Sequence, residues 1–317
     1  MLFVFIKKHP LAAHFFEGMD LQGDIRVISY PFGRHGPLNS LLRSIEAYLL
    51  WWWPRSWCYD AAYLAQLRSI EPDDAVLYFS IENRKTLQII RKFVRARKQS
   101  AWLWDPVSSY RKGALSRWVY KRWLRRASLK AYTFDPLDAR AYGLELTEQV
   151  FRHDPRPDAS AARDIDLYFI GSDKDRLPEL VRWKQLFERQ GLRTHFHVVA
   201  DRRRTYSPQD RAMVTSTWMP YASNLELVRR SRCLLEVLQG TQSGPTMRSI
   251  EALFFDCKLI TNNAAIVDCE FYHPSRIFVI GCDRPEDLQA FLQSPVEAAG
   301  EELLSKHEIR SWLRKFA

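Results

Sequence analysis

In the second half of the chain, short apolar runs alternate with stretches of helical spacing. Ile165–Ile170 is an apolar run that ends at Gly171 and reads as a buried strand. Leu177–Gln190 has helical spacing and stops at Gly191. Thr194–Val199, Cys233–Leu238, Lys258–Thr261 and Ile277–Ile280 read as further strands, and Leu225–Arg230, Thr246–Phe255 and Glu301–Phe316 as helices. Pro285–Leu292 reads as a helix with Pro at its favoured first position. Strands separated by helices predict a parallel sheet with crossover helices, the doubly wound α/β class.

The first half reads the same way. Strands are predicted near Leu2–Ile6, Ile25–Ser29, Ala75–Phe79, Ala101–Trp104 and Ala131–Phe134, and helices near Ser40–Leu50, Asp60–Ser69 and Thr86–Arg97. Phe151–Arg163 (FRHDPRPDASAAR) holds two Pro, several small residues and no aliphatic run, the composition of a linker. The expectation is two Rossmann-like domains, over 1–155 and 160–300, followed by a C-terminal helix over 301–317. Ligands of open α/β sheets sit at the carboxyl ends of the strands, so two such domains facing each other would bind between them.

Charge separates the halves. Hydrophobic residues make up 46% and charged residues 26%, a globular balance that argues against disorder. The net charge of +10, with 11 Trp, 13 Tyr and 18 Phe, points to an anionic partner: nucleic acid, nucleotide or membrane surface. Residues 1–160 hold 25 Lys/Arg against 16 Asp/Glu, whereas residues 161–317 hold 22 against 21. The basic excess therefore belongs to the first half. The apolar run Ala47–Trp53 is far short of the roughly 18 residues that span a bilayer. Met1–Ile6 precedes Lys7 and Lys8, the reverse of a secretory signal. Cys58, Cys233, Cys257, Cys269 and Cys282 have no paired short spacing, which argues against a disulfide framework or a zinc site and for a reducing cytosol.

Two strand–loop–helix passages carry anion-seeking residues. In Leu238–Glu251 (LQGTQSGPTMRSIE), Gly240, Ser243 and Gly244 let the backbone approach a ligand. The helix start near Thr246 offers free N–H groups to a phosphate. Thr246 and Arg248 add a hydroxyl and a cation, and Glu251 is placed to accept bonds from ribose hydroxyls. A plain turn capped by Thr246 reads the same residues. In Gly171–Arg176 (GSDKDR), Lys174 and Arg176 can contact a diphosphate. Asp173 and Asp175 can hold a divalent cation or cap the helix. Thr261, Asn262 and Asn263 end a strand and either touch a sugar hydroxyl or form a turn, and Tyr221 either stacks on a base or packs half-buried.

In the first half, Arg84–Lys130 holds 15 Lys/Arg and one acid, Asp105, interleaved with aromatics. Trp118, Arg122, Trp123 and Arg125, together with Trp51, Trp52 and Trp53, make a candidate membrane or acceptor face. A solvated basic helix with its Trp turned inward, or a nucleic-acid surface, fits the same composition. Candidate catalytic bases are His9, His14, Asp20, His35 and Asp105, and spacing selects none of them.

The ordered segments TFDPLDARAYGL (133–144), YFIGSDKDR (168–176), LLEVLQGTQSGPTMRSIEALFFDCKLITNN (234–263) and FYHPSRIFVI (271–280) resemble bacterial glycosyltransferases that build lipopolysaccharide, capsule or exopolysaccharide. The resemblance implies the two-Rossmann-domain architecture of the B type (GT-B), with a nucleotide-sugar in the second domain, acceptor and base in the first, and the last helix returning to the first. By position, Gly171, Lys174, Arg176, Gln242, Ser243, Gly244 and Thr246 would lie near the diphosphate and Glu251 on the ribose. Tyr221, Arg248 and Asn262 complete the expected donor set. Many retaining relatives carry two Glu eight positions apart. Here Ser243 stands at that spacing before Glu251, which leans towards inversion. The resemblance further implies a saccharide acceptor and no metal or other cofactor. The basic, Trp-rich first half suggests an anionic membrane surface and a lipid-linked acceptor, and no zinc finger, RRM signature or KH loop supports nucleic acid, so the expectation is a cytoplasmic enzyme on the inner face of the membrane. The alternatives are a metal-dependent A-type transferase using Asp173 and Asp175, or a non-catalytic protein that binds nucleotide or nucleic acid.

Overall fold

The computed structural model describes residues 1–7, 9–19, 23–30, 38, 41–42, 45, 60–81, 84–107, 113–126, 129–152, 162–238 and 242–317. The chain divides into two units, Met1–Thr147 with Leu313–Ala317, and Glu148–Trp312.

In the first unit the described strands are β1 (Leu2–Lys7), β2 (Ile25–Tyr30), β3 (Ala75–Phe79), β4 (Lys98–Leu103), β5 (Lys130–Thr133) and β6 (Glu145–Leu146). They form one sheet in the order β2-β1-β3-β4-β5-β6, and every pairing is parallel. β3 is buried along its whole length, as an all-apolar strand covered on both faces must be. The strand predicted at Ala101–Trp104 begins earlier, at Lys98, and excludes Trp104. Its polar start is accommodated because Gln99 accepts from Tyr78 Oη (2.9 Å) and Arg91 Nε (3.0 Å). The helix Arg84–Arg91 stops well short of Arg97, because Phe93, Val94 and Ala96 turn into the core instead of continuing the spiral. The helix predicted at Ser40–Leu50 lies largely outside the described residues.

The segment Thr133–Leu144 shows how its motif folds. Asp135 Oδ1 caps the helix Pro136–Tyr142 by accepting from the Leu137 and Asp138 N–H groups (2.9 and 3.1 Å). Pro136 takes the first turn, and Gly143 ends it at φ 69°, a left-handed position that favours glycine.

The second unit holds β7 (Ile165–Ser172), β8 (Thr194–Val199), β9 (Val214–Thr215), β10 (Ser231–Glu236), β11 (Lys258–Thr261) and β12 (Ile277–Val279). Their order is β12-β11-β10-β7-β8-β9, again wholly parallel. β6 and β9 are two-residue edge strands, too short for periodicity to reveal. Val237 and Leu238 fall beyond β10, in the loop.

Three expectations change. Pro285–Asp287 is a 3₁₀ turn, and the α-helix follows it over Leu288–Gln293. The helix expected at Glu301–Phe316 breaks into Glu301–His307 and Ile309–Leu313. The break has a partner: Phe151 N donates to His307 O (2.8 Å) and Ile309 N donates to Phe151 O (2.9 Å), which draws Glu308 into extended backbone. Phe151 itself is core, stacked 4.9 Å from Phe254, so the linker composition overreached at its first residue. At the chain's end, Phe316 packs on Tyr132 (5.1 Å) within the first unit. Among the described residues, no helix is long and apolar enough to cross a membrane.

Candidate functional site

Because all strands of the second sheet run the same way, β7, β10 and β11 deliver their following loops to one edge. The centre of that edge is Glu236, the last residue of β10, which is fully buried. Its Oε1 accepts from Ser249 Oγ (2.7 Å) and from Thr246 Oγ1, and its Oε2 from Thr261 Oγ1 (2.6 Å). One carboxylate thus ties the start of the helix Met247–Phe254 to the end of β11. Thr246 and Ser249 also form a capping box on that helix. Two expectations are corrected here. The Thr246 hydroxyl is already spent on Glu236 and on Arg248 N (3.0 Å). The helix start is capped by protein groups, so bare N–H groups are not the main attraction for an anion.

Asn262 and Asn263 serve the loop. Asn262 Oδ1 accepts from Leu238 N (2.7 Å), and Asn263 Nδ2 donates to Ser243 O (3.2 Å) and Gly244 O (3.5 Å). Ser243 and Gly244 are thereby held beside the helix start, with Gly244 buried and Gln242 half-buried.

The anion-seeking feature is a pair of arginines on one ring. The Arg176 and Arg248 guanidiniums lie 5.3 and 5.0 Å from the centroid of Phe169. Arg176 donates to Val237 O and Ser172 O (2.5 Å each), and Arg248 donates to Ile170 O. These carbonyls hold the groups without neutralising them, and neither arginine forms an ion pair among the described residues. Burial and the adjacent Arg248 push the Arg176 guanidinium down to about 10, so it remains charged near neutrality. Gly171 makes room for Arg176: with φ at 155°, a Cβ there would lie 3.1 Å from Arg176 Nη2. Lys174 and Asp175 take left-handed φ of 44° and 65° and turn the loop, leaving Lys174 exposed at its tip.

Glu251 is buried on the inner face of its helix. Its Oε1 accepts from Tyr221 Oη (2.9 Å) and Asn224 Nδ2 (3.0 Å), while Tyr168 Oη donates to Asn224 Oδ1 (2.9 Å). Tyr221 therefore orients Glu251 through its hydroxyl. No hydrogen bond from the described residues reaches the second Glu251 oxygen. Burial pushes the Glu251 carboxyl above the ordinary carboxylate range.

The metal reading of Asp173 and Asp175 does not survive the geometry. Asp173 is fully buried; its Oδ1 accepts from Leu177 N (2.9 Å), and its Oδ2 from Arg204 Nη1 (2.9 Å) and Tyr206 Oη (2.8 Å). Arg204 also pairs with Asp175 (3.6 Å), so a guanidinium already occupies the place of the cation. Asp173 bonds the first N–H of the helix Leu177–Arg189 from three residues before its N-cap, Arg176, whose own side chain makes no cap bond.

In the first unit, His9 and Asp105 are exposed just beyond the carboxyl ends of β1 and β4. His9 Nδ1 caps the helix Pro10–Phe16, and His14 lies within that helix, 6.1 Å from the Phe15 ring. The loop behind Asp105 is tied down by Val107 N, which donates to Asp138 Oδ2 (2.5 Å); burial pushes that carboxyl up to about 6. Asp20, His35 and Trp51–Trp53 lie outside the described residues. Trp123 is corrected as a surface residue: it is buried against Tyr120 (5.5 Å), whereas Trp118, Arg122 and Arg125 on the same helix are exposed.

Sequence reasoning missed Glu236, Asn224, Tyr168 and Phe169. Glu236 had a signal, a lone acid within an apolar strand, since such a group is rarely buried without partners. The other three read as ordinary packing residues.

No family model matches the chain, and no curated protein matches it. The fold is similar to that of a glycosyltransferase from Rickettsia africae ESF-5, with a TM-score of 0.52 and 11% identity over 99% of this chain and 96% of that one. It is also similar to HepE from Anabaena in complex with UDP and glucose (TM-score 0.48, 10% identity, 99% and 98% covered). A UDP-N-acetylglucosamine 2-epimerase from Rickettsia bellii gives a TM-score of 0.46 at 12% identity, with 99% and 92% covered. With its two parallel, helix-flanked sheets, the chain has the two-Rossmann-domain fold of the B-type glycosyltransferases.

Proposed function

We propose that this chain is a glycosyltransferase of bacterial surface-polysaccharide synthesis. It moves a sugar from a nucleotide-sugar held by the second unit to a saccharide acceptor, one carried on lipid. The observation that carries this reading is the Arg176–Arg248 pair: two half-buried cations hydrogen-bonded only to carbonyls, with the half-used carboxylate of Glu251 nearby in sequence. A diphosphate suits the pair, and a ribose hydroxyl suits the second Glu251 oxygen. The Rickettsia africae fold likeness agrees with this reading.

In the proposed reaction, a base in the first unit takes the proton of an acceptor hydroxyl. The freed oxygen attacks the anomeric carbon, the bond from that carbon to the phosphate oxygen breaks, and the nucleoside diphosphate leaves with the negative charge. Arg176 and Arg248 stabilise that charge as it develops. His9, His14 and Asp105 are the candidate bases among the described residues. The missing second Glu, at Ser243, favours inversion. No resident metal is assigned, because the Arg204 guanidinium is bound to Asp173 and also reaches Asp175, where a cation would have to sit.

The test is a thermal-shift screen of UDP-, GDP-, dTDP- and CMP-sugars. One nucleoside diphosphate sugar is expected to raise the melting temperature; the absence of any shift would overturn the reading. Glu251→Gln is expected to raise the donor KM about 10- to 100-fold, the worth of a hydrogen bond to a charged acceptor, with kcat little changed. Wild-type donor affinity should also weaken as pH falls through the raised pKa of Glu251, since protonation replaces a charged acceptor with a weaker neutral one. The Gln variant should lack that decline.

A further inference from the structure

We infer that the outward face of the helix Ala114–Arg126 is a docking surface for an anionic lipid bilayer. The helix (ALSRWVYKRWLRR) contains no acid. At about 100° per residue, Arg125, Trp118, Arg122, Leu115 and Val119 fall within an arc of about 120°. That arc faces out: Leu115, Trp118 and Val119 are 74%, 57% and 39% exposed, and Arg122 and Arg125 are exposed beside them. The opposite face, with Tyr120, Trp123 and Leu124, is buried in the core of the first unit. The helix is thus amphipathic in the usual sense on one side and carries a second, smaller apolar stripe on the other.

The composition of this stripe selects its occupant. A solvated helix face normally mixes charges of both signs, but here large apolar groups alternate with cations alone. The Arg122 guanidinium sits 5.6 Å from the Trp118 ring, which joins cation and aromatic in one patch. Lys121 is turned aside to donate to Ala141 O. Phosphate backbones would satisfy the arginines but offer nothing to Leu115 and Val119. Acyl chains accept both, while the indole of Trp118 suits the headgroup depth and Arg122 and Arg125 suit lipid phosphates. The 15-to-1 excess of cations over acids across Arg84–Lys130 supplies the long-range attraction. The surface belongs to the first unit, so this inference does not depend on the donor reading.

The experiment is flotation of the full chain with vesicles of phosphatidylcholine, alone or with about one-third phosphatidylglycerol. Binding is expected to the anionic vesicles at low salt and to be lost with added salt. Arg122→Ala with Arg125→Ala should weaken it about 30-fold, at the usual contribution of one basic residue near an anionic surface. Leu115→Ser with Trp118→Ser should weaken it about tenfold or more. All four side chains are exposed, so both variants should melt as wild type does and keep any nucleotide-induced shift, which separates this test from that of the donor site. Failure to float with anionic vesicles overturns the inference. So does flotation that neither variant weakens, or tight binding to RNA in place of vesicles.

Discussion

Arg176→Ala is expected to lower kcat by about 100- to 1000-fold, the range seen when one preorganised donor to a developing anion is removed. Two guanidiniums lie about 5 Å from one ring and repel each other, and Arg176 is shifted by that repulsion as well as by burial. Backbone carbonyls hold them, but no acidic side chain pairs with either. The ligand-free protein therefore keeps two cations at the edge of a sheet that are only partly offset, Arg176 by Asp173, Glu179 and Glu236 and Arg248 by Glu251, an arrangement that an incoming diphosphate relieves. Arg248→Met supplies the sign that separates this account from a structural one. It removes a repulsive charge and a buried Nε that lacks a partner, which offsets the lost bond to Ile170 O and the lost charge beside Glu251, so the ligand-free variant should melt close to wild type. The donor-induced shift should nevertheless disappear. Steady-state rates and melting curves with and without nucleotide check both variants. A folded Arg176→Ala protein that turns over at the wild-type rate would sink the assignment.

The sequence carried the fold further than the site. Continuous apolar strands such as Val76–Phe79 and Leu167–Ile170, punctuated by Gly171, Gly191 and capping Thr246, specify parallel strands and crossover helices through local chemistry alone. What escaped detection depended on tertiary contacts. The break at Glu308 comes from a bridge to Phe151, more than 150 residues earlier, which no helical periodicity can register. Trp118 and Trp123 look alike in RWVYKRWLRR, yet one faces water and the other the core, because the rest of the unit covers one side of the helix. At the site, Arg176, Arg248 and Glu251 were legible as charges after glycine-rich turns. Their partners were not: Phe169 and Tyr168 come from β7 and Asn224 from a separate helix, so only the fold brings them together. The reverse error concerns Thr246, whose hydroxyl looked like a ligand until Glu236 claimed it.

Glu236→Ala is expected to destabilise the second unit by about 4 kcal/mol. The carboxylate is fully buried and accepts from three hydroxyls, on Thr246, Ser249 and Thr261. Truncation leaves those donors in a dry interior, at about 1–3 kcal/mol for each that finds no new acceptor. Rotation of some hydroxyls towards nearby carbonyls keeps the total below the full sum. For a unit of this size, that loss corresponds to a fall in melting temperature of roughly 8–16 °C. Glu236→Gln keeps the shape and one acceptor oxygen, and the hydroxyls can turn to accept from its amide, so its loss should be about half as large. The two variants also separate stability from function. The same carboxylate fixes the start of the helix carrying Arg248 and Glu251, so Glu236→Gln, measured well below its melting temperature, should bind the donor more weakly while remaining folded. If Glu236→Ala melts as wild type does, the three hydroxyls have other acceptors, and Glu236 does not hold this edge of the sheet together.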